Sequence, residues 1–565
     1  MDTVILNGKV YSVHGDGKDT AVAIENGKIS KVGSDEEIKA LADQNTKVID
    51  AKGNTVMPAF VDAHMHPNMC TGVIAAHALN DIVRQEGESR DAYIERMMTS
   101  VGEYVKANPD KDVILVTGWY PAAFTMDEKG LPTKEDIDRI CPDKPVIMRS
   151  FDYHAVLVNS KAIEMSGITK DTPSPRGGMI EKGPDGELNG NFTDITAIEL
   201  LLDSLECADF TVEQYEQGIL AFQNDYALPN GVAYVFDAMA RPNAIKAYHN
   251  LAKSGRLKIK FSTAWVADAG ASEEQFDEFI ANKGKYDVDG FFHIDTVKFF
   301  MDSGMFGFMT NEPFDEDFLK FAGMPLDYCG EAQWAAEELN RIFLKLSKAG
   351  YQIHVHCMGD GAVKFTLDAF EYVDKMGVKG NRNVITHIMN ISDEDVERMA
   401  RLDVIAAMQP SWPIVDSLLM CSVIPMFGKK RSYEQYPLGR LHDAGVMVTC
   451  STDFPVTLNM YPFLGIQCGM TRTIPKSHPE YEQFKGIISG MEDDPERDCM
   501  TFKDLVDGYT YNGAYQLFAE GWYGSLESGK CADVLILDKD MFEVEPMEIE
   551  NIGIDTMIVN GEIVR

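Results

Sequence analysis

Between Val56 and Pro67 an apolar run, Val56-Met57-Pro58-Ala59-Phe60-Val61-Asp62-Ala63-His64-Met65-His66-Pro67, ends in two histidines one residue apart. Side chains two apart on a β-strand leave the same face, so both imidazoles project together. Pro67 cannot donate to a ladder and marks the end of the strand. Two convergent nitrogen donors at a strand terminus are the start of a metal site, although two unrelated surface histidines would share the spacing. The rest of the chain decides between them.

Further apolar runs end the same way. Ile353-His354-Val355-His356 closes on His356 before Gly359-Asp360, Val384-Ile385-Thr386-His387 closes on His387, and Asp453 follows Val446–Ser451 and Thr452. Strand-like runs at 113–117, 146–150, 259–264, 295–300, 352–356, 384–387, 404–408 and 446–451 alternate with helical segments at 331–349, 362–376, 393–401 and 438–444. That is the pattern of βα units around a parallel sheet. In a (β/α)8 TIM-like barrel the active site lies at the C-terminal strand ends, where residues distant in sequence meet. Four of the 12 histidines of the chain fall in that context. Lys298 lies inside Asp295-Thr296-Val297-Lys298-Phe299-Phe300, where a charge is costly unless paired or chemically altered. An ion pair with Asp302 is one resolution, and conversion to an anionic carbamate is the other.

Short strands and Asn-Gly turns in the first fifty residues are matched by similar runs after Val534. The two ends are therefore expected to form one composite β-sandwich domain from residues 1–57 and 519–565. The barrel then occupies 58–518, with an inserted subdomain at about 70–257. The 565 residues suit such a multi-part enzyme, and the formal net charge of −37 leaves no basic stripe for a nucleic-acid partner. No apolar run is long enough to span a membrane, the first residues lack a secretory pattern, and the 10 cysteines show no CxxC spacing. A cytoplasmic protein with reduced thiols is expected.

Several runs together resemble one family: 58–66, Gly118-Trp119, Asp152-Tyr153-His154-Ala155 with Asn159-Ser160-Lys161-Ala162, Val297-Lys298 leading to Asp302, and His356-Cys357-Met358-Gly359-Asp360. Thr386-His387, Ser451-Thr452-Asp453-Phe454-Pro455-Val456 and Gly524–Asp533 complete the set. In order and coverage the chain is similar to the amidohydrolase superfamily, in its amidohydrolase-3 or YtcJ-like branch. The resemblance implies a metal-dependent hydrolase barrel flanked by a β-sandwich. It implies that His64 and His66 bind a first metal, carbamylated Lys298 bridges two, His356 and His387 bind the second, and Asp453 completes the site. His354 is assigned to the core or to support of the ligands. Thr386 and Gly361 depart from the branch pattern, which often has an acidic residue and an arginine there.

Mixed nitrogen and oxygen ligation suits Zn2+ first, as one or two ions, with Fe or Mn as alternatives. Such an ion generates hydroxide near neutrality, and Asp453 is placed to carry its proton to a leaving nitrogen. His154 and Trp119 are the substrate-side candidates. The expected activity is hydrolysis of a C–N bond of an amide-like or N-acyl small molecule, N-formyl compounds included. The alternatives are a deaminase or cyclic-amide hydrolase on the same residues, or a non-catalytic protein of this fold. A homodimer is compatible with everything above.

Overall fold

The computed structural model describes residues 1–565 except 16, 86, 125–126, 128, 152, 305–306, 458 and 492, so Asp152 lies outside the described residues. Eight parallel strands form its central sheet: β1 (Phe60–Met65), β2 (Val232–Ala240), β3 (Lys260–Val266), β4 (Phe292–Phe300), β5 (Gln352–Cys357), β6 (Val384–His387), β7 (Ile405–Met408) and β8 (Val448–Cys450). Each pairs in parallel with the next in chain order. Every residue of β1, β3, β5, β6, β7 and β8 is buried, as expected for strands covered by helices outside and by the barrel interior within.

The helices supply the outer layer. Ala336–Lys348 buries Leu339, Ile342, Phe343 and Leu346, an i, i+3, i+4, i+7 stripe. Asp393–Arg401 starts at Ser392, whose Oγ accepts from Asp395 N at 3.1 Å, with acids in its first turn and Arg398 and Arg401 in its last. β8 and β1 share no ladder. They are joined where Asp453 N donates to the His64 carbonyl (3.1 Å) and His66 N donates to the Phe454 carbonyl (2.8 Å). The Asp62 carboxylate reinforces this seam by accepting from Thr452 N (3.1 Å) and Thr452 Oγ1 (2.7 Å).

Two expectations about the middle of the chain are corrected. The runs at 113–117 and 146–150 are not barrel strands. They belong to a separate six-stranded sheet that runs between His77 and Thr193. The second barrel strand is Val232–Ala240, inside the range 70–257 taken as insert, as is the following helix Pro242–Lys253. Parallel strands buried on both faces read alike in either sheet, so local pattern could not sort them. Asp237 also interrupts the apolar run of β2; it is buried there because Tyr248 Oη and Asn68 Nδ2 each donate to it at 2.7 Å. Among the described residues no helix is long and apolar enough to cross a membrane.

Strands from both ends of the chain build two further sheets. Lys28–Gly33, Ala21–Glu25, Thr3–Leu6 and Lys47–Asp50 form one, and Lys9–Val10, Thr55–Pro58, Val534–Leu537, Ile554–Val559 and Glu562–Ile563 form the other. Ile5, Val22 and Ile24 from the first share a core with Val56, Val534 and Ile558 from the second. A buried ion pair ties this region to the barrel: Lys260 Nζ on β3 lies 2.6 Å from Asp533 Oδ2 and also donates to Asn560 Oδ1 at 2.7 Å. Lys260→Met leaves Asp533 as an uncompensated buried charge and is expected to cost roughly 3–5 kcal/mol in urea unfolding. Adding Asp533→Leu should recover a large part of that loss, and an undiminished midpoint in Lys260→Met alone would contradict this account.

Candidate metal centre

His64 lies on β1 and His66 directly after its last residue, and both are buried. His64 Nε2 and His66 Nε2 lie 3.5 Å and 3.2 Å from Asp453 Oδ1, which arrives from the loop after β8. His387 closes β6, and one donor atom from each of His64, His387 and Asp453 lies within 4.8 Å of the other two. His356, at the end of β5, stacks edge-on against His387 with ring centroids 4.7 Å apart. His387 and Asp453 both adopt left-handed backbone, with φ of 75° and 58°. Such conformations cost free energy and concentrate at functional sites.

Burial holds the His64, His354 and His356 imidazoles well below their ordinary range, with the Lys298 charge as the next cause; burial and then His356 do the same to His387. Neutral imidazole is the form that carries a lone pair. Burial also pushes the Lys298 ammonium down to about 7, against the opposing charges of Asp453 and Cys357. Lys298 makes no ion pair among the described residues, so the pair with Asp302 expected as one resolution is not formed. Asp302 instead accepts from Met309 N (3.1 Å), Met358 N (3.0 Å) and Gly359 N (2.9 Å) and lies 3.2 Å from His356 Nδ1.

The donor set can be tested against a cation directly. His64 Nε2 and Asp453 Oδ1, 3.5 Å apart, are both shielded from solvent, and neither has a hydrogen-bond partner among the described residues. Unmet polar atoms in a buried position are costly singly, and these two, close together and beside a donor atom of His387, mark a place that favours a positive ion. The residues present therefore fit a divalent metal.

Substrate-side candidates fall in different places. His154, directly before the strand Ala155–Val158 of the small sheet, comes near the centre: its ring centroid lies 6.3 Å from that of His356, and its Nδ1 lies 3.2 Å from Asp194 Oδ1. Gly304 N also donates to Asp194 Oδ1 at 2.8 Å, and Tyr153 and Asp194 adopt positive φ of 61° and 65°. Trp119 does not line the mouth. It is fully buried in the core of the small domain, and its indole donates to the Met148 carbonyl at 3.1 Å. Gly118 before it has a φ of +86°, and a Cβ there would lie 2.2 Å from Asn80 Oδ1, so the Gly118-Trp119 pair is a packing device.

Comparison with known sequences now bears on this geometry. The profile described as "Amidohydrolase family" matches residues 47–565. The chain belongs to the amidohydrolase family. Over 531 residues it is 26% identical to the putative amidohydrolase YtcJ of Bacillus subtilis, covering 91% of this chain and 90% of that protein. It is 23% identical over 526 residues to the N-substituted formamide deformylase of Arthrobacter pascens, covering 91% and 89%. A crystal structure of an uncharacterised metal-dependent hydrolase from Pyrococcus horikoshii OT3 shares the fold with a TM-score of 0.71 at 23% identity, over 96% of this chain and 99% of that one.

His354 had been assigned from sequence to the core or to support of the ligands, whereas Gln409 and Trp412 had not been singled out as parts of this amidohydrolase site. His354 Nε2 lies 2.8 Å from His64 Nδ1, which turns His64 Nε2 towards Asp453. Gln409 Oε1 lies 2.9 Å from His387 Nδ1, and Gln409 Nε2 donates to Ser451 Oγ at 2.9 Å. Trp412 stacks flat on His387, with centroids 5.3 Å apart and planes 7° from parallel. His354 alone carried a sequence signal, through its period-two spacing from His356. Partners of this kind fix the tautomer and aim of a ligating imidazole. His354→Phe is expected to weaken Zn2+ binding about 10–100-fold in a chelator competition. Unchanged affinity in a folded His354→Phe protein would show that His64 is aimed by something else.

Proposed function

We propose that this amidohydrolase is a metal-dependent enzyme that hydrolyses a C–N bond of an amide-like or N-acyl small molecule. The observation that carries the reading is the cluster of His64, His387 and Asp453, whose donor atoms lie within 4.8 Å of one another, with His66 Nε2 3.2 Å from Asp453 Oδ1. Likeness to an N-substituted formamide deformylase along 91% of the chain supports an amide, N-formyl compounds included. His64, His66, Lys298, His356, His387 and Asp453 would hold one or two divalent ions, Zn2+ in preference to Fe or Mn. A bound ion supplies Lewis acidity, which polarises a carbonyl and makes water a nucleophile near neutral pH.

The chain's own groups do the rest. Asp453 accepts the proton of the attacking water and returns it to the departing nitrogen. Its carboxylate is held for that task by its own backbone, whose N–H is bonded to the His64 carbonyl at 3.1 Å. His154, kept in place by Asp194, donates to the carbonyl oxygen as negative charge develops there. Lys298, brought to about 7 by burial, presents a substantial neutral fraction of its amine near neutral pH. That amine adds to carbon dioxide, forming an N–C bond and releasing a proton, and the lysine becomes an anionic oxygen donor. All ten cysteines are free thiols, which supports a reducing, cytoplasmic setting.

Asp453→Asn is expected to keep its Zn2+ content while kcat falls about 100- to 10,000-fold on amide substrates. Near-normal turnover in the metal-loaded variant would remove Asp453 from proton transfer. Ammonia release from ring substrates without amide cleavage would move the reading to deamination. Protein grown with 13C-labelled bicarbonate should show a carbamate carbon resonance that is absent from Lys298→Met. A wild-type spectrum without that resonance would contradict the modified lysine.

A further inference from the structure

A cavity of about 330 Å3 opens between the small domain and the barrel. Asn68 and Met69, two and three residues after His66 in the chain, line it, and so does Tyr153, directly before His154. The segments that carry His66 and His154 therefore also wall this cavity. Its volume falls in the range of small-molecule pockets.

Most charges around it are already engaged. Glu199 and Asp203 pair with Arg241. Asp209 accepts from Tyr215 Oη at 2.7 Å and from Asn243 Nδ2 at 3.0 Å. Arg149, on the strand Val146–Ser150 of the small sheet, is different. Its Nη2 donates to the Ala208 carbonyl at 2.8 Å, and its guanidinium lies 5.8 Å from the Phe210 ring centroid. Its Nε is shielded from solvent and has no hydrogen-bond partner among the described residues. No carboxylate among the described residues pairs with it. Much of the remaining wall is apolar, including Ile198, Leu202 and Met239.

A guanidinium facing a partly enclosed, low-dielectric space without a counter-ion favours an anion. Its planar fork of donors matches a carboxylate better than a point charge would. We propose that Arg149 is the carboxylate-binding residue of a substrate subsite, and that the preferred substrate is an amide bearing a carboxylate at the end of an apolar segment. This rests on the hydrolase reading above for the identity of the bond cleaved, but not for the anion site itself.

The test uses a matched pair, N-formyl-ε-aminocaproate and N-formylhexylamine, with the Zn2+-loaded full-length protein, Arg149→Met and Arg149→Lys. Binding of caproate and caproamide is followed in parallel by calorimetry. The wild type should prefer the acidic amide. Arg149→Met should raise KM for that substrate roughly 10–100-fold, the usual weight of a charge-assisted hydrogen bond, with kcat and the neutral amide little changed. Arg149→Lys should retain part of the preference, and caproate should lose affinity in Arg149→Met while caproamide does not. If neither amide is cleaved but caproate binds through Arg149, the hydrolase reading fails and the subsite stands. If the neutral amide is cleaved with no preference for the acid and caproate ignores Arg149, the hydrolase reading stands and the subsite fails. Equal losses on both substrates with a lowered melting temperature would make Arg149 a strut for the Ala208 segment and overturn the proposal.

Discussion

The carboxylate of Asp62 is the contact on which the rest of the centre depends. It lies one residue pair before His64 on β1 and receives three donors, Thr452 N, Thr452 Oγ1 and, at 3.3 Å, His64 N. β1 and β8 have no ladder between them, so this side chain and two backbone bonds close the barrel at that edge. Asp453 is the next residue after Thr452. Closing the barrel and bringing Asp453 to His64 and His66 are thus one structural event. Burial raises the Asp62 carboxyl to about 7, and the bonds from Thr452 and His64 act against that rise. A buried acid held in this way is costly, and removing its partners would cost more than the group contributes in isolation.

The remaining donors follow from where each strand stops. His356 is the penultimate residue of β5 and His387 the last of β6, and β4 carries Lys298 to the same level as His354, its register partner on β5. Burial then keeps the imidazoles neutral and lowers the lysine, so the cluster presents lone pairs. Asp302 and Gln409 aim the outer two histidines, as His354 aims His64. Gly359 is glycine for a reason outside the chemistry: a Cβ there would lie 2.0 Å from the Met309 carbonyl oxygen. The adjacent Asp360 accepts from Asn311 N at 3.0 Å and from its Nδ2 at 2.9 Å, tying down the loop over β5.

What could be read from sequence was what the strand ends carry. His64, His66, His356, His387 and Asp453 stand where apolar runs stop, and the barrel brings such positions together whatever their separation in the chain. The barrel's second strand was hidden because Asp237 breaks its pattern, and two of its three hydrogen-bond donors, Tyr248 and Asn68, lie outside the strand. The limits of the insert were blurred for the related reason that two of its strands have the same apolar character as barrel strands. Trp119 illustrates the opposite error, since an aromatic in a shared motif served packing. Gln409 and Trp412 had no periodic signal, because their roles depend on a loop crossing from β7 to the face of His387. Asp533, at the end of another shared motif, meets Lys260 across 273 residues of chain, a contact that only the folded termini create.

A crystal structure of the protein grown with Zn2+, with anomalous data collected at the zinc edge, tests the central claim most directly. The account predicts anomalous density among His64, His66, Lys298, His356, His387 and Asp453, with extra density on the Lys298 amine. Well-ordered side chains at those six positions with no ion between them, or Zn2+ bound only elsewhere on the surface, would contradict it.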